Sequence, residues 1–404
     1  MIINSLIDLD IYKITMMQLA YFKHRNVEVE YNFKNRSKDV NLLEYVNMGD
    51  LVKELEHVTT LKMSGREIDT LRATGLFKEE FLGFLSNLTL PMVNVTKSIP
   101  FNTYDINVSG NWCDVILWET LILSIINELY HKSQIKDTYH MESTYNEGMD
   151  RLYSKIEKLR GGNYRFTEFG TRRRFSREWQ EMVVKTLKRE HNNTVGGIGF
   201  QGTSNVYLAM KLHIPCVGTF AHEMPMVYSG IYNDDLIGSH RKMLDDWYDF
   251  YGKRLSIALT DTYGSKFFFE DFTAEQARDW NGFRQDSGDP FVFGEEAEAF
   301  YISKMVDPTN KVVVFSDGLN VDKIINLCNT FRGRFIVSNG WGTDLTNDVG
   351  FPTLSLVVKA TKANGHGTVK LSDNLNKAIG TPENIKRFTE TFGYTNKNKE
   401  ELIN

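Results

Sequence analysis

The chain has 404 residues, of which 41% are apolar, 12% aromatic and 25% charged, a globular composition long enough for one large domain and a smaller one. A net charge of −5 and a pI near 6.0 argue against binding nucleic acid through a broad basic face. Cys113, Cys216 and Cys328 are odd in number, far apart and without Cys-x-x-Cys spacing, so neither a disulfide framework nor a zinc site is indicated, and a reducing cytoplasm fits.

The N-terminus reaches Asp8 and Asp10 without the basic start and long apolar run of a secretory signal. Leu9, Tyr12, Met16 and Leu19 recur at helical spacing, which predicts a helix from Asp8 to Lys23. Val27–Phe33 alternates apolar and polar, the pattern of a half-buried strand, and 47–88 reads as charged helices. Short strands are expected at Val93–Val95 and Tyr104–Val108, then helices at about 112–132 and 137–160. The most apolar long segment, Trp112–Tyr130, carries Asp114, Glu119 and Glu128, acids that are costly at a bilayer centre, so it reads as a buried helix and not a membrane span.

From residue 163 short β-like runs alternate with helical intervals: Arg165–Phe169, Gly197–Phe200, Cys216–Thr219, Ser256–Thr260, Gly282–Arg284, Val312–Phe315 and Phe335–Ser338. Such a rhythm predicts parallel βα units. The expected fold class is α/β: an irregular, incomplete seven-stranded TIM-like βα barrel over 136–353 with an N-terminal α+β domain over 1–135. A hairpin formed by Leu354–Ala360 and Thr368–Leu371 around Asn364-Gly365-His366-Gly367, with the tail to 404, is expected to complete that N-terminal domain.

In a parallel barrel all strand C-termini open on one face. The loops read there are Gly170-Thr171-Arg172-Arg173-Arg174, Gln201-Gly202-Thr203-Ser204, Ala221-His222-Glu223, Asp261-Thr262, Arg284-Gln285-Asp286, Ser316-Asp317-Gly318 and Asn339-Gly340-Trp341-Gly342-Thr343. Any one glycine here can be an ordinary turn residue. Their joint placement after the last two runs makes Gly318, Gly340, Gly342 and Thr343 a candidate phosphate cradle. Asp286 and Asp317 can accept from sugar hydroxyls or cap the next helix, and Arg172 and Arg284 can grip a carboxylate or pyrophosphate. Arg173 and Arg174 read as solvated or paired surface charges, at even odds with ligand contact. His222 can be a nucleophile or an acid/base group held in one tautomer by Asp261. No Walker-type or Rossmann glycine motif stands in the chain, and no close histidine pair suggests a resident metal.

Phe166-Thr167-Glu168-Phe169-Gly170-Thr171-Arg172-Arg173-Arg174, Gly202-Thr203-Ser204, Gly218-Thr219-Phe220-Ala221-His222-Glu223, Asp286-Ser287-Gly288-Asp289-Pro290, Phe315-Ser316-Asp317 and Gly342-Thr343-Asp344, with Asp10-Ile11-Tyr12-Lys13 near the start, together resemble the nicotinate phosphoribosyltransferase family, in order along nearly the whole chain. The resemblance implies condensation of nicotinate with phosphoribosyl pyrophosphate to nicotinate mononucleotide and pyrophosphate. It also implies ATP hydrolysed through a phosphohistidine at His222, Mg²⁺ escorting the phosphates, and a homodimer with shared active sites. Phe169 would stack on the pyridine ring, with Tyr12 of a neighbouring subunit on its other face, and Arg172 would lie by the base. Arg284 and Asp286 would meet the ribose-phosphate, Gly318, Gly340, Gly342 and Thr343 the 5′-phosphate, and Arg36, Lys359 and Lys370 the pyrophosphate.

The related nicotinamide enzymes carry an aspartate near Ser204, where a hydroxyl favours the acid substrate. A nicotinamide phosphoribosyltransferase is therefore the alternative enzyme, and a catalytically silent phosphoribosyl-ligand sensor the alternative of another class. A metal-dependent hydrolase lacks its histidines. Two departures from the family pattern are Met224-Pro225-Met226 after His-Glu and Trp341 between two glycines.

Overall fold

The computed structural model describes residues 1–395, so 396–404, the end of the expected C-terminal tail, lie outside the described residues. It forms two compact units, the first of residues 1–26, 30–218 and 341–359, the second of 27–29, 219–340 and 360 onward. The strands in chain order are β1 (Glu28–Asn35), β2 (Asn94–Ser98), β3 (Thr103–Asn111), β4 (Phe166–Glu168), β5 (Phe200–Thr203), β6 (Ile257–Leu259), β7 (Gly282–Gln285), β8 (Val312–Phe315), β9 (Ile336–Trp341), β10 (Leu356–Ala363) and β11 (His366–Gly367).

In the first unit β10, β1, β3 and β2 neighbour one another in that order, with β2 and β3 antiparallel from Asn94↔Asn107 to Ser98↔Thr103. The apolar stretch after β3 divides into Trp112–Val115 and Trp118–Gln134. The second helix is buried almost all round, so its polar groups need partners. Asn127 donates to the Leu123 and Arg172 carbonyls at 2.9 and 3.0 Å, and Glu128 accepts from the Arg177 backbone N–H at 3.0 Å. Among the described residues no helix is long and apolar enough to cross a membrane.

β4 and β5 run parallel, with Phe166 opposite Phe200 and Glu168 opposite Thr203. The expected strand at Cys216–Thr219 is reduced to one parallel bridge, Thr203↔Cys216. Pro215 has no N–H to lend a ladder, and Gly202, at φ 133°, brings β5 so close that a Cβ would stand 2.2 Å from the Pro215 carbonyl oxygen. Five of the other six runs are strands near their expected places, whereas the expected run Gly197–Phe200 is displaced to β5, Phe200–Thr203, because Gly197 and Gly199 take positive φ of 73° and 81°, and Phe169 N–H bonds the Trp341 carbonyl at 2.8 Å.

Arg174 departs from the surface role expected of it. It is fully buried and donates to both carboxylate oxygens of Asp8, at 2.8 and 2.9 Å, and to Gln180 at 3.1 Å. Sequence proximity to exposed Arg173 hid this, because only the fold brings Asp8 to it.

In the second unit β9, β8, β7 and β6 form a parallel array in that order, with Gly282 opposite both Ile257 and Val312. A hairpin forms where expected, but its second strand is His366–Gly367 and not Thr368–Leu371, pairing at Lys362↔Gly367 and Ala363↔His366 because the turn closes in two residues. Its turn residues, Asn364 and Gly365, have φ of 47° and 80°, the left-handed pair a two-residue hairpin requires. The helix Pro382–Thr391 buries Phe388, and with Phe392 just past its end joins Leu236, Tyr263, Val369 and Leu371, Tyr263 stacking on Phe392 at 4.2 Å.

Replacing Arg174 by Met should leave the buried Asp8 carboxylate without its main counter-charge and cost about 3 kcal/mol. A urea unfolding midpoint unchanged from wild type would show that the pair is not a stabilising contact.

Candidate functional site

The second unit positions His222 at the start of the helix Glu223–Ile231, just after the polar turn that the sequence singles out. The ring is buried and bonded at both nitrogens: Nε2 lies 3.0 Å from Asp286 Oδ2 and Nδ1 lies 2.9 Å from Thr262 Oγ1. Asp261, the carboxylate expected to hold the ring, is 3.9 Å away and instead accepts from Ser287 Oγ at 2.5 Å. Asp261 and Thr262 are adjacent, and it is the threonine side chain that meets the ring from this segment.

Burial, reinforced by the positive charge of Lys370, drives the His222 pKa well below the ordinary histidine value, so the ring is neutral. Burial alone would raise the Asp286 pKa, but the hydrogen bond from His222 and the charges of Arg284 and Lys370 hold it well below the carboxylate range. An ionised Asp286 and a neutral ring assign the proton to Nε2, which donates to the carboxylate. Nδ1 then keeps its lone pair and accepts from the Thr262 hydroxyl. Asp286 keeps 31% of its side chain exposed and also accepts from Ser316 Oγ at 3.0 Å. Asp261, by contrast, is fully buried, and burial pushes it up to about 7.

Around this group, Arg284 donates through Nη1 to Thr219 at 3.1 Å and buries an Nε that meets no acceptor. Asp317 accepts from Lys377 at 2.6 Å, a partner the sequence did not suggest. Gly318 turns at φ 55° after β8 with its carbonyl bonded by Lys323 at 3.1 Å, Gly340 is buried in β9, and Lys370 is buried.

The first unit holds the remaining residues and a group the sequence reading did not assemble. Glu119, one exposed part in a hundred, receives Lys13, Lys359 at 2.5 Å and Arg172 at 3.4 Å. Burial would raise the Glu119 pKa, but the three cations hold it far below the carboxylate range. Burial lowers Lys359 to about 8, with Glu119 opposing the shift. The guanidinium of Arg172 lies 5.8 Å from the centre of the Tyr12 ring, and Tyr12 is buried within its own unit. Phe169 is half-buried beyond β4, and Arg36 follows β1, where burial lowers its pKa. Gly342 precedes the short helix Thr343–Thr346, with a Cβ there only 3.3 Å from the Phe169 carbonyl oxygen.

Ser204 and Thr203 are buried and turned to acids of this unit. Thr203 donates to Glu168 at 2.5 Å and Ser204 to Asp10 at 2.5 Å. The Ser204 hydroxyl is thus engaged by Asp10 in this structure. Glu119 was legible only as an acid inside an apolar stretch, and Lys13 only as part of the N-terminal motif. An acid retained in a buried helix was the signal available for this cluster.

Parallel βα units carrying a buried histidine and aspartate, and a cation-rich cluster around one carboxylate, define an α/β-barrel enzyme for anionic substrates. The chain belongs to the nicotinate phosphoribosyltransferase family, whose model matches residues 164–396 and whose N-terminal domain model matches 7–127. It is similar to the solved nicotinate phosphoribosyltransferase of Porphyromonas gingivalis, at 31% identity over 97% of this chain and 100% of that one, with a TM-score of 0.88. It is also similar to that of Vibrio cholerae, at 31% identity over 98% and 95% of the two chains, with a TM-score of 0.89.

His222 should stay neutral at about pH 6, where an ordinary histidine is largely protonated. Because its folded pKa is depressed, the neutral ring's contribution to stability is complete above the unfolded value and is lost as pH falls below it. Ring ¹⁵N shifts followed against pH would check this, and protonation of His222 with an unperturbed midpoint would contradict it.

Proposed function

We propose that the protein is a nicotinate phosphoribosyltransferase: the pyridine nitrogen of nicotinate bonds to C1′ of phosphoribosyl pyrophosphate as the C1′–oxygen bond to pyrophosphate breaks. The observation that carries the reading is the His222–Asp286 pair, held in one protonation state within a chain of this family. Charge builds on the ribose ring as the bond to pyrophosphate opens; in this reading the ionised Asp286 stabilises it and Arg284 serves the phosphates. Arg172, beside Tyr12 and 36% exposed, pairs with the carboxylate of the base. Selectivity for the acid over the amide then rests on this guanidinium, since the Ser204 hydroxyl is engaged.

ATP is the co-substrate in this reading. Neutral Nδ1 of His222 takes the γ-phosphoryl group, ADP leaves, and water later releases phosphate from the phosphohistidine. Thr262 hydrogen-bonds that nitrogen until the phosphoryl arrives, and the deprotonated ring needs no separate base. Among the described residues no group of three or more His, Cys, Asp and Glu is placed to hold a metal ion. Mg²⁺ that enters with phosphoribosyl pyrophosphate or ATP needs only one or two carboxylates besides phosphate oxygens and water, and the partly exposed Asp286 suits that part. The reading includes a homodimer with shared active sites and a cytoplasmic location, with which three free cysteines agree.

The purified protein should form nicotinate mononucleotide from nicotinate and phosphoribosyl pyrophosphate, faster with ATP. Nicotinamide should give little product. His222→Ala should abolish the ATP stimulation and leave slow synthesis at high substrate, and Asp286→Asn should lower kcat by about 100-fold or more. Full ATP-coupled activity in His222→Ala would exclude the phosphohistidine, and product from nicotinamide alone would reverse the substrate assignment.

A further inference from the structure

Glu119 joins four segments that are distant in sequence. Lys13 comes from the helix Ile11–Lys23, Glu119 from the helix Trp118–Gln134, Arg172 from the turn after β4 and Lys359 from β10. One carboxylate needs one cation to be neutralised, yet three converge here, two of them almost fully buried. Asp10, 3.8 Å from Arg172, is the nearest further acid, and burial with the Glu119 charge raises its pKa. The cluster is buried on one side and open through Arg172, an arrangement through which an anion can reach the cations.

We infer that Glu119 is a positioning residue for both substrates, holding Arg172 toward the carboxylate of the base and Lys359 toward the pyrophosphate from one buried point. The inference rests on the proposed reaction and adds to it a residue that touches neither substrate. Lys359 and Arg172 repel each other at this separation, and Glu119 between them is what allows both to stay charged and in place. A guanidinium on one substrate and an ammonium on the other are thereby aligned by one carboxylate oxygen, Glu119 Oε1, while Lys13 meets Oε2.

The test is Glu119→Gln, which keeps shape and removes charge, assayed for nicotinate mononucleotide formation with each substrate varied in turn. The expected result is a rise of about tenfold in KM for both nicotinate and phosphoribosyl pyrophosphate, with a smaller change in kcat. A residue with only a packing role would lower the melting temperature and leave both KM values in place. Unchanged KM values, a rise for one substrate only, or a fall in both from the lost negative charge would each overturn the inference. Should Glu119→Gln fail to fold, Glu119→Asp, which keeps the charge but withdraws it by one methylene, should move both KM values in the same direction by less. Calorimetric titration with nicotinate and with inorganic pyrophosphate, each alone, separates the two levels of the argument. Wild-type protein that binds neither would remove the proposed reaction and the inference with it. Wild type and variant that bind both equally would remove only the inference.

Discussion

A buried carboxylate must be neutralised where it stands, and in the first unit Glu119 is neutralised three times over. That excess ties the N-terminal helix, the turn after β4 and the start of β10 to one atom pair. It also makes the surrounding geometry a property of charge balance and not of loop packing. Arg174 with Asp8, a few residues away in sequence from Arg172 and Asp10, forms a bidentate, fully buried pair, with Asn205 adding a further bond to Asp8 at 2.8 Å and Arg177 lying 3.5 Å from it. The Asp8 group is closed to solvent, whereas the Glu119 cluster opens at Arg172, whose side chain is 36% exposed.

The second unit uses burial to fix protonation. His222 is kept neutral and Asp286 ionised, a division that follows from which of the two keeps contact with solvent and with the neighbouring cations. Asp261 sits in the same network but is shielded, bonded to Ser287 and pushed up to about 7, so its contribution is to the lining of the ring and not to its orientation. Ser287 Oγ in turn accepts from the backbone N–H of Asp373 at 2.9 Å, and Asp373 accepts from Ser265 at 2.7 and 2.6 Å. The histidine therefore stands on a relay of short polar contacts that reaches the C-terminal segment.

The two departures from the family pattern both fall in packed positions. Met224, Pro225 and Met226 are buried in the first turn after His222, and the Pro225 carbonyl accepts from Tyr263 at 2.8 Å. Trp341 is fully buried, its ring edge-on to Phe166 at 5.4 Å and its indole N–H donating to Asp344 at 3.0 Å. The apolar groups at these places fill space behind the loops, which is a matter of volume and hydrogen-bond satisfaction.

Local pattern alone determined much of the fold. Alternation and helical spacing located the N-terminal helix, β1, five of the seven parallel runs and the first arm and turn of the Asn364-Gly365 hairpin, because each is dictated by side-chain periodicity or by a required backbone conformation. The motif residues also named most of the candidate site, His222, Arg284 and Asp286 among them. What the sequence could not decide was pairing. The choice of Asp286 over Asp261 beside His222, the burial of Arg174 against Asp8, the diversion of Ser204 to Asp10 and the gathering of three cations on Glu119 all depend on residues 64, 166, 194 or more positions apart. Periodicity reports which face of an element is buried. Only the tertiary structure decides which charge meets it there, since electrostatic partners are selected by distance in space and carry no spacing rule along the chain.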